Sequence, residues 1–229
     1  MAIALVQNPY AELASGSSAQ TLTLTQAITV GNLIAVCVVY GKASGANISV
    51  SSITDNAGSP NTYTAATLAS NTQNNPKLDT EIWYCLSATA APTTITVTFS
   101  GVNNFGNSAV GMLEYSGVSP AVLDVVNSTT TNLTSTPTAT GAAVTTTGTD
   151  DVIVSIICTD AISVSSVASP FTNRGNSTYM MVDAINQVAG TYTPTYTTAS
   201  NIRYATSTAS FATSSTSSTT RLSLTHVGN

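Results

Sequence analysis

The stretch Thr94–Phe99, which reads TITVTF, alternates polar and apolar residues at every position. The same alternation occurs at residues 21–25, TLTLT, and at residues 220–225, TRLSLT. A period of two places every second side chain on one face of an extended strand, so these runs predict strands that are buried on one side only. No window of a dozen residues carries a helical stripe of apolar residues, and the sequence therefore predicts an all-β fold.

Three further runs are apolar almost throughout, namely Leu33–Tyr40, Glu81–Leu86 and Val152–Cys158. Such runs are typical of central strands that are covered on both faces. Turn-forming Gly, Asn and Pro residues separate the strands at short intervals. Together these patterns predict an antiparallel β-sandwich in which two sheets pack face to face.

The chain also resembles itself weakly. Residues 27–39, AITVGNLIAVCVV, and residues 144–158, VTTTGTDDVIVSIIC, are each a Thr-rich strand, a turn with glycine and a buried strand with a cysteine. We therefore expect two similar β-units, residues 21–126 and 141–225, which could form two facing sheets or two adjacent sandwiches. The two long buried strands need covering, and this favours a single sandwich over residues 21–229.

Two segments lie outside this repeat. Residues 128–147 are mostly Thr, Ser and Ala, so they are either a linker or an extended edge that crosses between the halves. Residues 1–20 begin with a short apolar strand that contains Ile3, Leu5 and Val6 and continue as an arm of small residues. Such an arm either pairs with a sheet edge on another subunit or forms an ordinary strand in its own sheet.

The composition excludes several classes of protein. Charged residues make up 7% of the chain, whereas about 25% is usual. The net charge is −5 and the five basic residues are scattered, so nucleic acid is not an expected partner. No apolar stretch approaches the roughly 20 residues of a membrane-spanning helix, so we expect no membrane partner. The first residues, MAIALVQ, carry no basic residue and do not resemble a secretory signal, so we expect synthesis and retention in a cytoplasm.

The cysteines and the histidine indicate no catalytic chemistry. Each of the three cysteines (Cys37, Cys85 and Cys158) lies in an apolar run, so we expect buried free thiols, with a disulfide or a bridge between subunits as the alternative. The only histidine, His226, lies in a polar stretch, and no GxSxG, GxGxxG or GxxxxGK[ST] motif occurs. A hydrolytic triad needs a base, and a glycosidase cleft usually brings several tryptophans, of which this chain has one. We therefore expect no enzyme and no organic cofactor.

Calcium is the one cofactor that the residue pattern favours. Asp55 and Asn56 lie in a turn sequence, and Asp79 and Glu81 are two residues apart, so the latter pair shares one face of a strand. Carboxylate and amide oxygens are the hard ligands that Ca²⁺ prefers. The alternative for Asp55 and Asn56 is an Asx-turn, in which each side chain bonds its own backbone.

Three tyrosines in the second half are candidates for a ligand or interface surface. Tyr192, Tyr196 and Tyr204 lie in an alternating region, and Pro194 between the first two indicates an edge strand or a bulge. Exposed rings there could stack on a sugar or on a neighbouring subunit, and packing in the core is the alternative.

The strand and turn sequences of the first half resemble a known family. The segments concerned are residues 28–36 (ITVGNLIAV), 51–58 (SSITDNAG), 61–64 (NTYT), 81–101 (EIWYCLSATAAPTTITVTFSG) and 111–118 (GMLEYSGV). They resemble a diffuse family of jelly-roll-like β-sandwich domains found in bacteriophage virion proteins and bacterial surface proteins. The resemblance covers residues 21–126, with a fainter match in the second half. It implies a jelly-roll-like fold and an exposed assembly role, and it carries no catalytic residues.

Two functions from different classes follow as expectations. The first is a non-enzymatic structural subunit of a virion or surface assembly, such as a phage capsid decoration, head-fibre or tail accessory protein. Such a subunit would form homo-oligomers, contact other structural proteins and reside in the virion after synthesis in the host cytoplasm. The second is a carbohydrate-binding or adhesive module, extracellular or on a cell surface, with a glycan as its ligand.

Overall fold

The computed structural model describes residues 2–45, 47–72, 75–106, 108–118, 121–134, 136–160, 164–176 and 180–213. The regular elements within these ranges are all β-strands, so the predicted all-β, sandwich-like fold is confirmed. The predicted strand at residues 220–225 and His226 lie outside the described residues. No helix in the described ranges is long and apolar enough to cross a membrane.

The first half of the chain forms two antiparallel sheets. Its strands are β1 (Ala4–Gln7), β2 (Tyr10–Glu12), β3 (Ala19–Thr23), β4 (Leu33–Lys42), β5 (Val50–Asp55), β6 (Thr64–Asn71), β7 (Lys77–Cys85), β8 (Thr94–Phe99) and β9 (Ala109–Ser116). The first inner sheet has the order β1-β9-β4-β7-β6, with β2 also beside β9, and the first outer sheet has the order β3-β8-β5. The chain crosses between these sheets at most connections, which is the wiring of a jelly roll.

The second half repeats this arrangement. Its strands are β10 (Ala121–Thr131), β11 (Thr138–Thr140), β12 (Val144–Thr146), β13 (Asp151–Thr159), β14 (Val164–Val167), β15 (Thr172–Asn173), β16 (Met181–Gln187), β17 (Gly190–Tyr192), β18 (Thr195–Thr198) and β19 (Tyr204–Thr213). The second inner sheet has the order β10-β19-β13-β16-β15. The second outer sheet has the order β11-β18-β14, and β12 and β17 form a separate two-stranded sheet.

The two inner sheets have the same strand order. The order β10-β19-β13-β16-β15 in the second inner sheet corresponds, strand for strand, to β1-β9-β4-β7-β6 in the first. In the outer sheets, β11-β18-β14 corresponds to β3-β8-β5 in the same way. The weak internal repeat in the sequence therefore corresponds to two jelly-roll-like sandwiches. Their junction lies between β9 and β10, not in residues 128–147, because that segment contains the end of β10 and the strands β11 and β12.

The sandwiches stack through their inner sheets, so the molecule has four layers. The central core lies between the inner sheets and includes Leu113, Val154 and Phe211. A second core lies between the first inner and outer sheets, and a third lies between the second inner and outer sheets. The predicted single sandwich of two sheets is therefore incomplete. Strands β4 and β13 are apolar almost throughout because each packs against the opposite inner sheet on one face and against its own outer sheet on the other.

Polar contacts join the two sandwiches across the central core. The Thr80 and Ser207 hydroxyls are 2.9 Å apart in a buried hydrogen bond. Asn71 Nδ2 donates to the carbonyl of Thr131 at 3.0 Å. At the rim, Arg203 Nη1 donates to the carbonyl of Pro76 at 3.2 Å. These bonds fix the register of one inner sheet over the other.

Residues 2–20 belong to the fold and are not a separate arm. Strand β1 pairs with β9 of the same chain, and Ile3 is buried in the central core while Leu5 packs against it; Val6 is half-buried. The Ile3 amide donates to Asn186 Oδ1 at 2.9 Å, and Asn186 Nδ2 donates back to the Ile3 carbonyl at 3.1 Å. The interpretation of this strand as an arm for another subunit's sheet is therefore corrected. It is a strand of its own sheet, and Ile3 and Leu5 pack in the core of the same chain.

The three cysteines are buried and free, as predicted. The edge-strand bulges fix their positions in the repeat. Leu5 and Leu123, each just before a bulge, pair with Tyr115 and Phe211, which pair in turn with Leu33 and Val152. Counting along the strands from these pairs, Cys37 corresponds to Ile156 and Cys158 to Val39. Burial raises the pKa of the Cys37 and Cys158 thiols well above the ordinary value, so both stay protonated and unreactive.

Candidate functional site

The side of the molecule formed by β6 and β10 is the candidate interaction surface. Strand β6 ends the first inner sheet and β10 ends the second, and the two strands lie against each other where the sheets stack. Each pairs with one neighbour only, β6 with β7 and β10 with β19, within the part of the chain that the structure describes. Their outer edges therefore present backbone N–H and C=O groups without a strand partner.

The side chains along this surface carry little charge. Strand β6 reads TAATLASN and β10 reads AVLDVVNSTTT, so Asp124 is the one ionisable residue in the two strands. Large apolar side chains are exposed on both strands, with Leu68 at 50% and Val122 and Val126 at 38% each. Natural proteins usually protect a long free edge with charged side chains, Lys above all. These two edges lack that protection.

A β-bulge is the protection that both edges do have. The register of β6 shifts between Ala65 and Thr67, and that of β10 shifts between Leu123 and Val125. A bulge increases the local twist and interrupts further pairing at that point. The straight part of β10 after its bulge, residues 125–131, remains long enough to pair with another strand.

A buried polar network anchors β1, and the sequence analysis missed it. Glu114 on β9 is fully buried, and its carboxylate accepts from Gln7 Nε2 at 2.6 Å, from Asn32 Nδ2 at 2.7 Å and from the Thr29 amide at 2.8 Å. Gln7 Oε1 in turn accepts from the Thr25 hydroxyl at 2.8 Å. The signal in the sequence is a glutamate inside an apolar run, GMLEYSG, because a buried charge needs several donors.

Asp55 and Asn56 are both occupied by hydrogen bonds within the protein. Asp55 Oδ1 accepts from the Ala57 amide at 3.1 Å, which is the Asx-turn geometry, and Oδ2 accepts from Asn61 Nδ2 at 2.8 Å and the Tyr63 hydroxyl at 3.0 Å. Asn56 Oδ1 accepts from the Thr93 amide at 2.9 Å. The alternative that the sequence left open, turn chemistry, therefore describes Asp55, whereas Asn56 bonds the chain at Thr93 and Thr94.

Asp79 and Glu81 share one face of β7, as predicted, and both are buried. Glu81 accepts from the Tyr40 hydroxyl, from the Val50 amide at 2.9 Å and from Trp83 Nε1 at 2.8 Å. Asp79 Oδ2 has no hydrogen-bond partner. Burial raises the pKa of Asp79 to about 6, with the Ser70 hydroxyl opposing the shift.

The four predicted calcium ligands do not form one site. Glu81 meets β5 at Val50, whereas Asp55 is the last residue of that strand. Five residues of extended strand separate these points by about 16 Å. No group of three or more His, Cys, Asp and Glu side chains comes together as a metal site in the described ranges. The hypothesis that Asp55, Asn56, Asp79 and Glu81 together bind one Ca²⁺ ion is therefore corrected.

Two of the three candidate tyrosines lie in the third core. Tyr196 is fully buried and its hydroxyl is 2.9 Å from Ser155 Oγ, and Tyr204 is 4% exposed and donates to the Thr140 carbonyl at 2.8 Å. Tyr192 is half-buried against the same core and donates to the Val188 carbonyl at 2.9 Å. The hypothesis of an exposed tyrosine surface is therefore corrected, and packing in the core, the alternative that the sequence left open, describes these rings.

A hydroxyl-rich cleft lies elsewhere, at the end of β7. It has a volume of about 340 Å³, and its lining is formed by Thr62, Thr64, Tyr84, Cys85, Leu86, Ser87 and Thr89. The ring of Tyr84 packs edge-on against Phe211, with 5.6 Å between ring centroids. A partly exposed aromatic ring among hydroxyl groups has the polarity of a sugar-binding surface.

Comparisons with family models, with curated proteins and with solved structures find no match to this chain. The functional argument therefore depends on the residues and geometry of this molecule. Among its surfaces, the β6 and β10 edges combine free backbone groups, exposed apolar side chains and low charge.

Proposed function

We propose that this protein is a non-enzymatic structural subunit of a virion or surface assembly, and that copies of it associate through the β6 and β10 edges. Phage capsid decoration, head-fibre and tail accessory positions all suit such a subunit. Its location would be the virion after synthesis in the host cytoplasm. The resemblance of residues 21–126 to virion and surface domains supports the class of function.

The observation that carries the proposal is the pair of long, almost uncharged free edges on one side of the molecule. A strand edge pairs with another strand through backbone hydrogen bonds, and side chains such as Leu68 and Val126 add apolar contact. A second copy of the chain is the partner that we propose. Charged residues make up 7% of the sequence, so two copies repel each other weakly.

Size-exclusion chromatography with light scattering tests this proposal. We expect the wild-type protein to form an oligomer of defined mass, and we expect the double variant Leu68→Lys/Val126→Lys to be monomeric at the same concentration. Lysine at an edge strand blocks strand addition because its charge would be buried in the new pair. Val188→Lys is the matched control, because Val188 is 63% exposed and lies in the turn between β16 and β17.

Circular dichroism of each variant verifies that the β-fold is intact. A wild-type protein that stays monomeric up to about millimolar concentration would contradict the proposal, and so would an oligomer that survives the double lysine substitution.

A carbohydrate-binding or adhesive module is the second candidate. The cleft beside Tyr84 favours it, because the cleft joins an aromatic ring to several hydroxyl groups. A monomeric protein that insoluble polysaccharides remove from solution, and that Tyr84→Ala leaves in solution, would support this candidate over the first.

A further inference from the structure

The residue before β4, Asn32, has a counterpart at the start of β13, and the two places differ in chemistry. Glu114 and Ser210 each pair with the first residue after the bulge of an edge strand, and on their other side they pair with Ile34 and Ile153. Asn32 therefore corresponds to Asp151, two residues before each isoleucine. In the first sandwich the carboxylate is on β9 and the amide precedes β4; in the second the carboxylate begins β13 and β19 supplies a hydroxyl.

The neighbouring edge strand differs as well. Gln7 on β1 pairs with Glu114, and Val125 on β10 pairs with Ser210, each just after a β-bulge. In the first sandwich the Gln7 amide donates to the buried carboxylate. Valine cannot donate a hydrogen bond, so the second sandwich has lost both the long glutamate side chain and the amide that satisfied it.

Two buried oxygens in the second sandwich lack a partner as a result. Asp151 and Ser210 are both fully buried, and Asp151 Oδ1 and Ser210 Oγ make no hydrogen bond. The register places Asp151 opposite Ala212, and it is therefore diagonal to Ser210 on the same face of the sheet. Diagonal neighbours on a sheet have Cα atoms about 7 Å apart, within reach of a single bridging atom between their side chains.

The unpartnered carboxylate oxygen lies against Gly148, a residue that lines a cleft. A cleft of about 380 Å³ is lined by Val122, Asp124, Thr147, Gly148, Thr149, Ala212 and Thr213. A Cβ atom added to Gly148 would lie 2.0 Å from Asp151 Oδ1, so this oxygen packs against a residue in the wall of the cleft. Asp151 Oδ2 accepts from the Gly148 amide at 3.3 Å, and the Asp124 carboxylate accepts from the Thr147 amide at 3.0 Å.

The surroundings of this cleft are acidic and have no basic partner among the described residues. Asp150 is adjacent in sequence, and Asp124 faces Asp151 across the Thr147–Gly148 turn. The ion pairs of the described ranges join Arg174 to Asp183 and Arg203 to Asp160, so neither involves these three carboxylates. Burial raises the pKa of Asp151, Asp124 and Asp150 raise it further, and hydrogen bonds from Thr146 and the Gly148 amide oppose the rise.

We propose that Asp151 Oδ1 and Ser210 Oγ bind a hard divalent cation of the Ca²⁺ class at this corner of the second sandwich. Carboxylate and hydroxyl oxygens are suitable ligands, and the nearby carboxylate of Asp124 stabilises the positive charge. Three acidic side chains do not converge here as a complete metal centre, so backbone carbonyls and water from the cleft supply the remaining ligands. This cation replaces the amide donors that satisfy Glu114 in the first sandwich.

Thermal unfolding of the full chain in EDTA and in increasing CaCl₂ tests the proposal, with MgCl₂ as a comparison. A ligand that binds only the folded state raises the Tm, and at about 100 times its Kd the rise for a chain of this length is about 5 °C or more. We expect a saturable rise, and we expect isothermal titration calorimetry to give one Ca²⁺ per chain. Ser210→Ala and Asp151→Asn should each abolish the rise, and Asp55→Asn should retain it.

The variant Asp151→Asn/Ser210→Glu provides an independent measurement, since it copies the Asn32–Glu114 pair. It should fold without Ca²⁺ and show no Tm change on adding it. If Ca²⁺ changes neither the Tm nor the heat of titration of the wild-type protein, water alone satisfies the two oxygens and the proposal is wrong. A response that Asp55→Asn abolishes and Asp151→Asn retains would also overturn it.

Discussion

Buried carboxylates illustrate how single residues are stabilised in this protein. Glu114 accepts from two side-chain amides and a backbone amide, and Glu81 accepts from a phenol, an indole and a backbone amide. Each is satisfied without a basic partner. Asp79, two residues before Glu81, has one oxygen without any donor, and its pKa is correspondingly raised to about 6.

Asp79→Asn should change the pH dependence of stability. The folded state binds this proton more tightly than the unfolded state, whose carboxyl has the ordinary pKa of 3.8. The stability that the proton contributes is present below that value and is lost as the pH rises through about 6. At pH 7.5 we therefore expect Asp79→Asn to increase the free energy of unfolding by on the order of 2 kcal/mol, and at pH 3.5 we expect no difference.

Urea unfolding at several pH values measures this effect. Glu12→Gln is the control, because Glu12 is exposed and its replacement should leave the curve unchanged. An Asp79→Asn effect of equal size at every pH would show that Asp79 is not the group that titrates.

At the scale of the element, strands were predictable where the apolar pattern is regular, either alternating along the strand or continuous. Thr94–Phe99 alternates in burial as it alternates in sequence, and Leu33–Val39 is buried at every position. The shortest strands of the second sandwich were not predictable, because β15 and β17 have two and three residues and show no period. The partners of polar residues were also hidden, since Gln7 and Glu114 are brought together only by the pairing of β1 with β9.

Gln7→Ala should weaken the attachment of β1. The substitution removes the donor at Glu114 Oε2 and the acceptor of the Thr25 hydroxyl, so a buried charge loses a hydrogen bond. We expect the free energy of unfolding to fall by about 2–4 kcal/mol. Gln20→Ala is the control, with an expected change below about 0.5 kcal/mol, because Gln20 bonds only the neighbouring carbonyl at the surface. Urea unfolding followed by fluorescence compares the two, and equal losses would contradict the role of Gln7.

At the scale of the whole molecule, the central core couples the two sandwiches. Phe211 of the second sandwich is fully buried and packs against Tyr84 of the first. The one tryptophan, Trp83, is in the first sandwich and therefore reports on it alone. The sequence indicated a repeat, but it could not show which faces of the two units meet, because β4 and β13 are equally apolar on both sides.

Phe211→Ala should lower the stability of both sandwiches together. Removing a buried phenylalanine costs about 3–5 kcal/mol. We expect the urea midpoints from Trp83 fluorescence and from circular dichroism to decrease by the same amount and to coincide. Val188→Ala, at an exposed position, should change neither midpoint. A Trp83 midpoint that stays at the wild-type value would show that the sandwiches unfold independently.

The repeated strand order has a consequence for how this protein can evolve. The chain contains the same sandwich twice, and the two copies pack through equivalent sheets as the two subunits of a homodimer would. In a true homodimer every substitution appears on both sides of the axis. In a fused pair one copy can keep a residue while the other exchanges it, as Glu114 and Ser210 differ at equivalent positions. Fusion therefore frees each half to acquire a separate task while the other half preserves the shared scaffold.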